Sequence, residues 1–363
     1  MKRVAIITNI SFWRKGAGNM SRLSVMTSYL ARHMEVIVLF SGIEHADDRQ
    51  FTGTMPATMR IIFCEKERSP GMLEFGDRVT RFLEGNPVHC CIIEYVELSF
   101  LMDFIPPGIK VLLDTHDISS DRARSFAQFE NGKETTVISF EEEVGMFLRY
   151  DKVILINSED YNKISCKIGS ERTLLVPHAP VTRARARRPV VKNIGFVGSN
   201  YLPNKDAIVF FSDRIWPRIY RPGLNLHIYG HVCRLLDKEL ASRPGIQFEW
   251  FVPDDNEIYG SIDIAVNPVR FGAGLKIKNL EALANGLPLL TTRHGAAGLA
   301  GGKNKAFLQA DAIDEWLDRL QQLIDNETLR CSLGEEGLKF VSEQFHPELC
   351  YGGLIKYILN IKV

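Results

Sequence analysis

Two lysines and a glutamate stand where chemistry with an anion is favoured. The stretch Asn267 to Gly286 reads Asn-Pro-Val-Arg-Phe-Gly-Ala-Gly-Leu-Lys-Ile-Lys-Asn-Leu-Glu-Ala-Leu-Ala-Asn-Gly. An apolar run at 262–266 predicts a buried strand, and Gly272 and Gly274 mark the loop that follows it. A helical pattern then begins with Lys276 and Lys278 and carries Glu281. A strand, a glycine-bearing turn and a helix start form an anion site, because unpaired N–H groups point outward there and the helix dipole favours negative charge. Lysines at that end are unfavourable on their own. They make sense if a phosphate or diphosphate sits among them. Glu281 lies three residues after Lys278, so both project from one helix face. The place suits a diphosphate joined to a hydroxyl-rich group, such as a sugar or a ribose.

Other predicted strand ends carry further candidates. After the first strand, Gly16 and Gly18 either let backbone approach a ligand or make a plain turn. Trp13 and Arg14 in the same loop are surface residues or acceptor contacts. His116 follows another strand within Asp114-Thr-His-Asp117. Such a histidine can be a general base, a hydrogen-bond donor to a sugar hydroxyl or a metal ligand, although a lone histidine is more often structural. No further His or Cys ligands stand near it in sequence, so no metal site is expected. Gly198 and Asn200 follow a strand and again offer donors at a helix start near Lys205. Gly230-His231 and Phe251-Val252-Pro253 also follow strands; Phe251 is either a face for a nucleobase or a core aromatic. Glu141, Glu142 and Glu143 read as a solvated helical face. His178 is a hinge or ligand residue at a domain junction. Neither a dinucleotide Gly-x-Gly-x-x-Gly fingerprint nor a Walker loop is present, which disfavours a dehydrogenase and a P-loop enzyme.

The elements that must position these residues follow from periodicity. Strands are predicted at 3–8, 35–40, 60–64, 90–94, 110–113, 152–156 and 173–176, then at 193–197, 225–229, 246–250, 262–266, 287–291 and 306–308. Runs apolar on both faces, separated by amphipathic segments, read as parallel strands in βαβ units. The fold class is therefore α/β, with two doubly wound, Rossmann-like domains facing each other across a cleft and ligands at the carboxyl ends of the strands. The first domain spans 1–182 and the second 190–344, and a final helix within 345–363 packs back on the first. Between them Thr182-Arg-Ala-Arg-Ala-Arg-Arg-Pro189 has no apolar periodicity and reads as a linker. Its arginines, Arg183, Arg185, Arg187 and Arg188, are a solvated connector or a contact with an anionic surface.

Composition narrows the class. The 363 residues carry 44 basic and 44 acidic side chains, which argues against a general nucleic-acid binder. No apolar run approaches the roughly 18–20 residues that span a bilayer, and Met1 to Ile10 lacks the long apolar core of a signal peptide. Seven scattered cysteines with no C-x-x-C pair predict neither a disulfide framework nor a metal cluster, hence a reduced, cytoplasmic protein. No amphipathic anchor stands out. Arg14, Lys15 and Arg22 either touch anionic lipid, giving peripheral contact with the inner membrane face, or form a solvated face.

With these residues in place, the chain resembles the family 4 glycosyltransferases, the retaining GT-B enzymes. The second half carries Gly-Phe-Val-Gly-Ser-Asn-Tyr-Leu-Pro-Asn-Lys-Asp-Ala (195–207), Ile-Tyr-Gly (228–230), Tyr-Gly-Ser-Ile-Asp-Ile-Ala-Val-Asn-Pro (259–268), Gly-Ala-Gly-Leu-Lys-Ile-Lys-Asn-Leu-Glu-Ala-Leu-Ala-Asn-Gly-Leu-Pro (272–288) and Gly-Ala-Ala-Gly-Leu (295–299). Leu113 to Arg122 and Tyr150 to Ser158 in the first half are also similar to the family. The resemblance implies a GT-B fold and a nucleotide-diphosphate sugar bound by the second domain. It implies a glycan or lipid-linked acceptor held by the first, no cofactor, and a role in surface polysaccharide or glycolipid synthesis. Glu281 matches the family's ribose-binding glutamate. The family's sugar-contacting glutamate, eight residues earlier, falls at Ala273, as in a branch with Gly-x-Gly-x-Lys-x-Lys. The usual Arg and Lys pair after the second domain's first strand is also absent, with Asn200 and Lys205 near those places. The expected catalytic set is His116, Lys278 and Lys276. The expected donor-binding set is Gly16, Gly18, Gly198, Asn200, Gly230, Phe251, Val252, Arg270, Gly272, Gly274, Leu275 and Glu281. The alternatives are a nucleotide-sugar epimerase or hydrolase on the same fold, and a catalytically silent nucleotide-sugar-binding partner.

Overall fold

Runs of Val, Ile and Leu bounded by polar turns become two parallel sheets. The computed structural model describes residues 1–65, 71–129, 138–183, 185 and 188–361. The first sheet holds β1 (Arg3–Thr8), β2 (Glu35–Ile43), β3 (Met59–Glu65), β4 (Cys90–Glu94), β5 (Lys110–Asp114), β6 (Lys152–Leu155) and β7 (Thr173–Leu175) in the order 3-2-1-4-5-6-7. The second holds β8 (Asn193–Val197), β9 (Asn225–Tyr229), β10 (Ile246–Trp250), β11 (Ile264–Asn267), β12 (Leu289–Thr291) and β13 (Leu308–Gln309) in the order 10-9-8-11-12-13. Every described pairing is parallel. The central strands are apolar because helices cover both faces: Val4, Ile6, Ile92 and Leu112 pack on one side of the first sheet, Ala5, Ile7, Ile93 and Leu113 on the other.

In each sheet the strand order reverses beside its first strand. Between β1 and β4, and again between β8 and β11, adjacent loops leave in opposite directions and open a crevice at the strands' carboxyl ends. The two crevices face each other, which is why the loops after β1, β5, β8, β9, β10 and β11 line one cleft. The helix Pro347–Leu359 lies against the first domain. Tyr29 donates to Glu348 over 2.6 Å, and the Tyr351 hydroxyl accepts from the Ala179 amide at 3.1 Å.

Several surface expectations are corrected by packing. Glu143 is fully buried, where its carboxylate accepts the Ser119 and Ser120 amides at 2.7 and 3.0 Å and so caps the helix Ser119–Ala127. It is not part of a solvated face. Arg185 and Arg188 of the connector donate to carbonyls at 259–261, and Arg188 also pairs with Asp263 at 3.1 Å. They tie the connector to the second domain rather than to solvent; Arg187 lies outside the described residues. Arg22 is buried, paired with Asp114 and donating to the Val176 carbonyl at 3.1 Å, so it offers nothing to a lipid surface. Among the described residues no helix is long and apolar enough to cross a membrane.

Candidate active site

The cleft between the domains has a volume of about 1060 Å³. From the second domain, β11 delivers the loop with Gly272 and Gly274 to the helix Ile277–Ala284. Gly274 has φ +70°, and a Cβ there would lie 2.8 Å from the His116 carbonyl oxygen. Only glycine lets this loop meet the first domain so closely. Gly16 makes the reciprocal approach: at φ +98° its missing Cβ would fall 3.0 Å from the His231 ring. Gly18 abuts Ile277 in the same way, without an unusual φ.

The helix start differs from its sequence reading. Lys276 is the N-cap rather than a first-turn residue, and its amine donates to the carbonyls of Ala273 and Gly274 at 3.0 and 2.8 Å. It braces the loop that carries Gly272 and Gly274. Burial pushes it down to about 8, although Asp117 and Asp160 of the first domain favour its charge. Lys278 donates to Asn204 Oδ1 at 2.6 Å and rests 4.3 Å from the Phe196 ring centre. Burial, with Lys276 nearby, lowers it to about 7. Glu281, one turn on, accepts from the Tyr259 hydroxyl at 2.8 Å; burial and Asp255 raise it to about 7. Lys278 and Glu281, both half-buried on the cleft wall, thus project beside a helix N-terminus, the end whose dipole favours an anion.

His116 stands across the cleft. Its backbone is left-handed at φ 58°, a costly conformation for a non-glycine residue and one that clusters at functional sites. Its ring stacks on Tyr95 at 4.2 Å, and Nε2 lies 2.6 Å from Glu94 Oε2. Glu94 and Asp114 are register partners at the ends of β4 and β5. Glu94, Asp114 and His116 bring one ligand atom each within 4.8 Å of one another, the only such three-residue group among the described residues that could hold a metal ion. The Arg22 guanidinium already supplies the positive charge on Asp114, which suits an ion-pair cluster better than a cation site.

The remaining walls fall into place around these groups. Gly198 and Asn200 line the cleft after β8, and Gly230 after β9; a Cβ on Gly230 would collide with the Gly198 carbonyl oxygen. Phe251 and Val252 line it after β10, with Phe251 stacked on His231 at 4.9 Å and 12°. Leu275, Gly272 and Ala273 complete the loop. Arg270 is a correction. It lies off the cleft lining, in a two-pronged pair with Asp206 at 2.9 and 2.6 Å, above the Phe210 ring. Trp13 is another: it is buried against Phe40 and Phe63, and its indole N–H donates to Asp48. Arg14 does line the cleft but is held by the same Asp48. His178 is buried outside the cleft lining, pushed down to about 3 by burial and by Arg22. Sequence reasoning missed Glu94, Asn204 and Tyr259, each more than ten residues from its partner, so no local spacing could have shown them.

Two facing Rossmann-like domains with their strand-end loops around one cleft define a GT-B glycosyltransferase fold. Residues 191–326 match the family model described as "Glycosyl transferases group 1". The chain is 26% identical over 221 residues to an uncharacterized 44.6 kDa protein in the cps region of Klebsiella pneumoniae, a match spanning 57% of this chain and 56% of that protein. Sucrose-phosphate synthase from Thermosynechococcus elongatus superposes with a TM-score of 0.76 at 14% identity over 100% of both chains. HepE of Anabaena, solved with UDP-glucose, superposes at 0.74 with 12% identity over 99% of each chain. These likenesses establish the fold.

Proposed function

We propose that the protein is a retaining glycosyltransferase that moves a sugar from a nucleotide-diphosphate donor to a glycan or lipid-linked acceptor. It works at the cytosolic membrane face during surface polysaccharide or glycolipid assembly. The observation that carries this reading is that Lys278 and Glu281, both half-buried, line the cleft from the helix whose N-terminus faces it. The match to a cps-region protein supports the polysaccharide context, and the UDP-glucose held by HepE supports the donor class.

Bond cleavage at the donor's anomeric carbon leaves a nucleoside diphosphate whose negative charge grows in the transition state. Donors aimed at that charge supply most of the acceleration. Lys278 and the amides of Gly274 and Leu275 take that role. Lys276 holds the loop, and Glu281 accepts from the ribose hydroxyls. The flat His231–Phe251 pair borders the nucleobase. His116 contacts the donor sugar or acceptor. In front-face attack the departing phosphate takes the acceptor proton, so no protein nucleophile is needed. Closure of the domains excludes water and limits hydrolysis.

The test incubates the protein with UDP-, GDP-, ADP- and dTDP-sugars, with and without a lipid-linked oligosaccharide fraction. Acceptor-dependent release of nucleoside diphosphate, with the anomeric configuration kept in the product, is expected. Turnover that needs no acceptor would instead support an epimerase or hydrolase, and binding without turnover a silent partner.

A further inference from the structure

His116 is attached to a group of buried charges that no part of the reaction above uses. Glu94 and Asp114 are both fully buried at adjacent strand ends, and Arg22, only 1% exposed, pairs with Asp114. Glu94 Oε1 has no partner, so the His116 ring is the one hydrogen-bond partner of this carboxyl group among the described residues. His116 Nδ1 makes no hydrogen bond within the described residues, and His116 lines the cleft.

The charges can be counted. With Glu94 and Asp114 ionised, Arg22 protonated and His116 neutral, the buried group carries one net negative charge, which is costly in a dry interior. One more proton brings it to zero. That proton resides on Glu94 or on the imidazole, and the two forms share a consequence. If Glu94 is the neutral acid, it donates to Nε2, and the neutral ring carries its hydrogen on Nδ1. If the ring is the imidazolium, both nitrogens carry hydrogens. Either way Nδ1 is a donor. Burial and Asp114 raise the Glu94 carboxyl to about 7, consistent with a proton held there.

We propose that Glu94 is a positioning residue for His116: its buried carboxyl group engages Nε2 and makes the ring present an Nδ1 hydrogen to the cleft, a donor to a sugar hydroxyl rather than a general base. The glycosyltransferase reading supplies the sugar; the state of the ring stands on the chain alone. Tyr95, stacked on the imidazole, fixes the ring plane. The other charged groups around the ring are Asp117 beside it and Arg122, which pairs with Asp117 and with Glu97 at 2.8 Å. Arg122 and, from across the cleft, Lys276 offset Asp117 and Glu97, which leaves the proton count to Glu94, Asp114 and Arg22.

Two measurements test this. Long-range ¹H–¹⁵N correlations of the His116 ring, recorded on the full ligand-free protein at neutral pH, read the hydrogen on Nδ1 without any substrate. A protonated Nδ1 is expected. An unprotonated Nδ1 in the wild type overturns the proposal whatever the reaction is. The second is a double-mutant cycle on turnover of whichever UDP-, GDP-, ADP- or dTDP-sugar the wild type accepts. Glu94→Leu, which can neither donate to Nε2 nor accept from it, is expected to lower kcat about tenfold, within the range of a direct pairwise coupling, with KM nearly unchanged. In a His116→Ala background the same change is expected to cost nothing more, and Glu94→Asp to recover part of the loss. Equal losses in both backgrounds would show that Glu94 does not act through His116. A wild type that turns over none of these sugars sinks the glycosyltransferase reading, while the ring spectrum still decides the inference.

Discussion

Replacing Lys278 with methionine probes the proposed leaving-group site with little damage to packing. Methionine keeps an unbranched apolar stem of similar length, while the Nζ that donates to Asn204 and lies over the Phe196 ring is lost. Near 4 Å and an effective dielectric of 20, an ammonium and one phosphate charge interact by about 4 kcal/mol. Loss of a single donor to a developing oxyanion costs about 2.7–4 kcal/mol. One correction applies. Because burial holds Lys278 at about 7, it is half-neutral in the empty cleft near pH 7. Restoring the proton on binding costs RT ln 2, about 0.4 kcal/mol, so the net effect stays near 2–4 kcal/mol. Lys278→Met should therefore lower kcat/KM about 30- to 900-fold. The assay is release of nucleoside diphosphate from the preferred sugar nucleotide, with thermal melts to confirm the fold. Turnover within about threefold of wild type in a folded variant, against the ~2 kcal/mol minimum, would refute the placement of the diphosphate.

Three further perturbations follow. Glu281→Gln removes the charged acceptor that also takes the Tyr259 hydroxyl, and should weaken nucleoside diphosphate binding by calorimetry about 10- to 100-fold, the worth of a hydrogen bond to a charged group. Gly274→Ala puts a methyl 2.8 Å from the His116 carbonyl at φ +70°, so kcat should fall at least about tenfold (about 1.4 kcal/mol) while nucleotide binding is largely kept; a fully active Gly274→Ala protein would show that this close approach is not used. His178 is held neutral down to about 3, whereas an unfolded chain protonates near its ordinary value of 6.5. Its contribution is complete above 6.5 and is lost as pH falls through the window to 3. Denaturant melts should show His178→Phe reducing the acid-side slope by up to about 1.4 kcal/mol per pH unit. An unchanged slope would mean that His178 is not neutral in the fold.

The central strands were legible because burial on both faces is written as apolar runs: β1, β4 and β8 lie at their expected residues, as do β9 and the more polar edge strand β10. The cleft loops were legible for a related reason, since ligand loops of doubly wound sheets follow strands, and glycine marks close approach. What local pattern could not show was pairing across crossovers. Glu94 reaches His116 because β4 and β5 are neighbours, and Lys278 reaches Asn204 because β8 and β11 are. Arg270 sat in the right loop, but Asp206, far away in sequence, claimed it. Glu143 looked like one of three exposed acids until the fold set a helix N-terminus against it. Local pattern also placed Lys276 in the first turn, whereas it is the N-cap and its amine donates to the Ala273 and Gly274 carbonyls.

The most direct test of the central claim is a crystal structure of the protein with its preferred nucleoside diphosphate. The account predicts the β-phosphate within hydrogen-bond distance of the Gly274 and Leu275 amides and of Lys278 Nζ, the ribose hydroxyls on Glu281, and the base beside Phe251. A diphosphate bound elsewhere, or a ribose out of reach of Glu281, would contradict it.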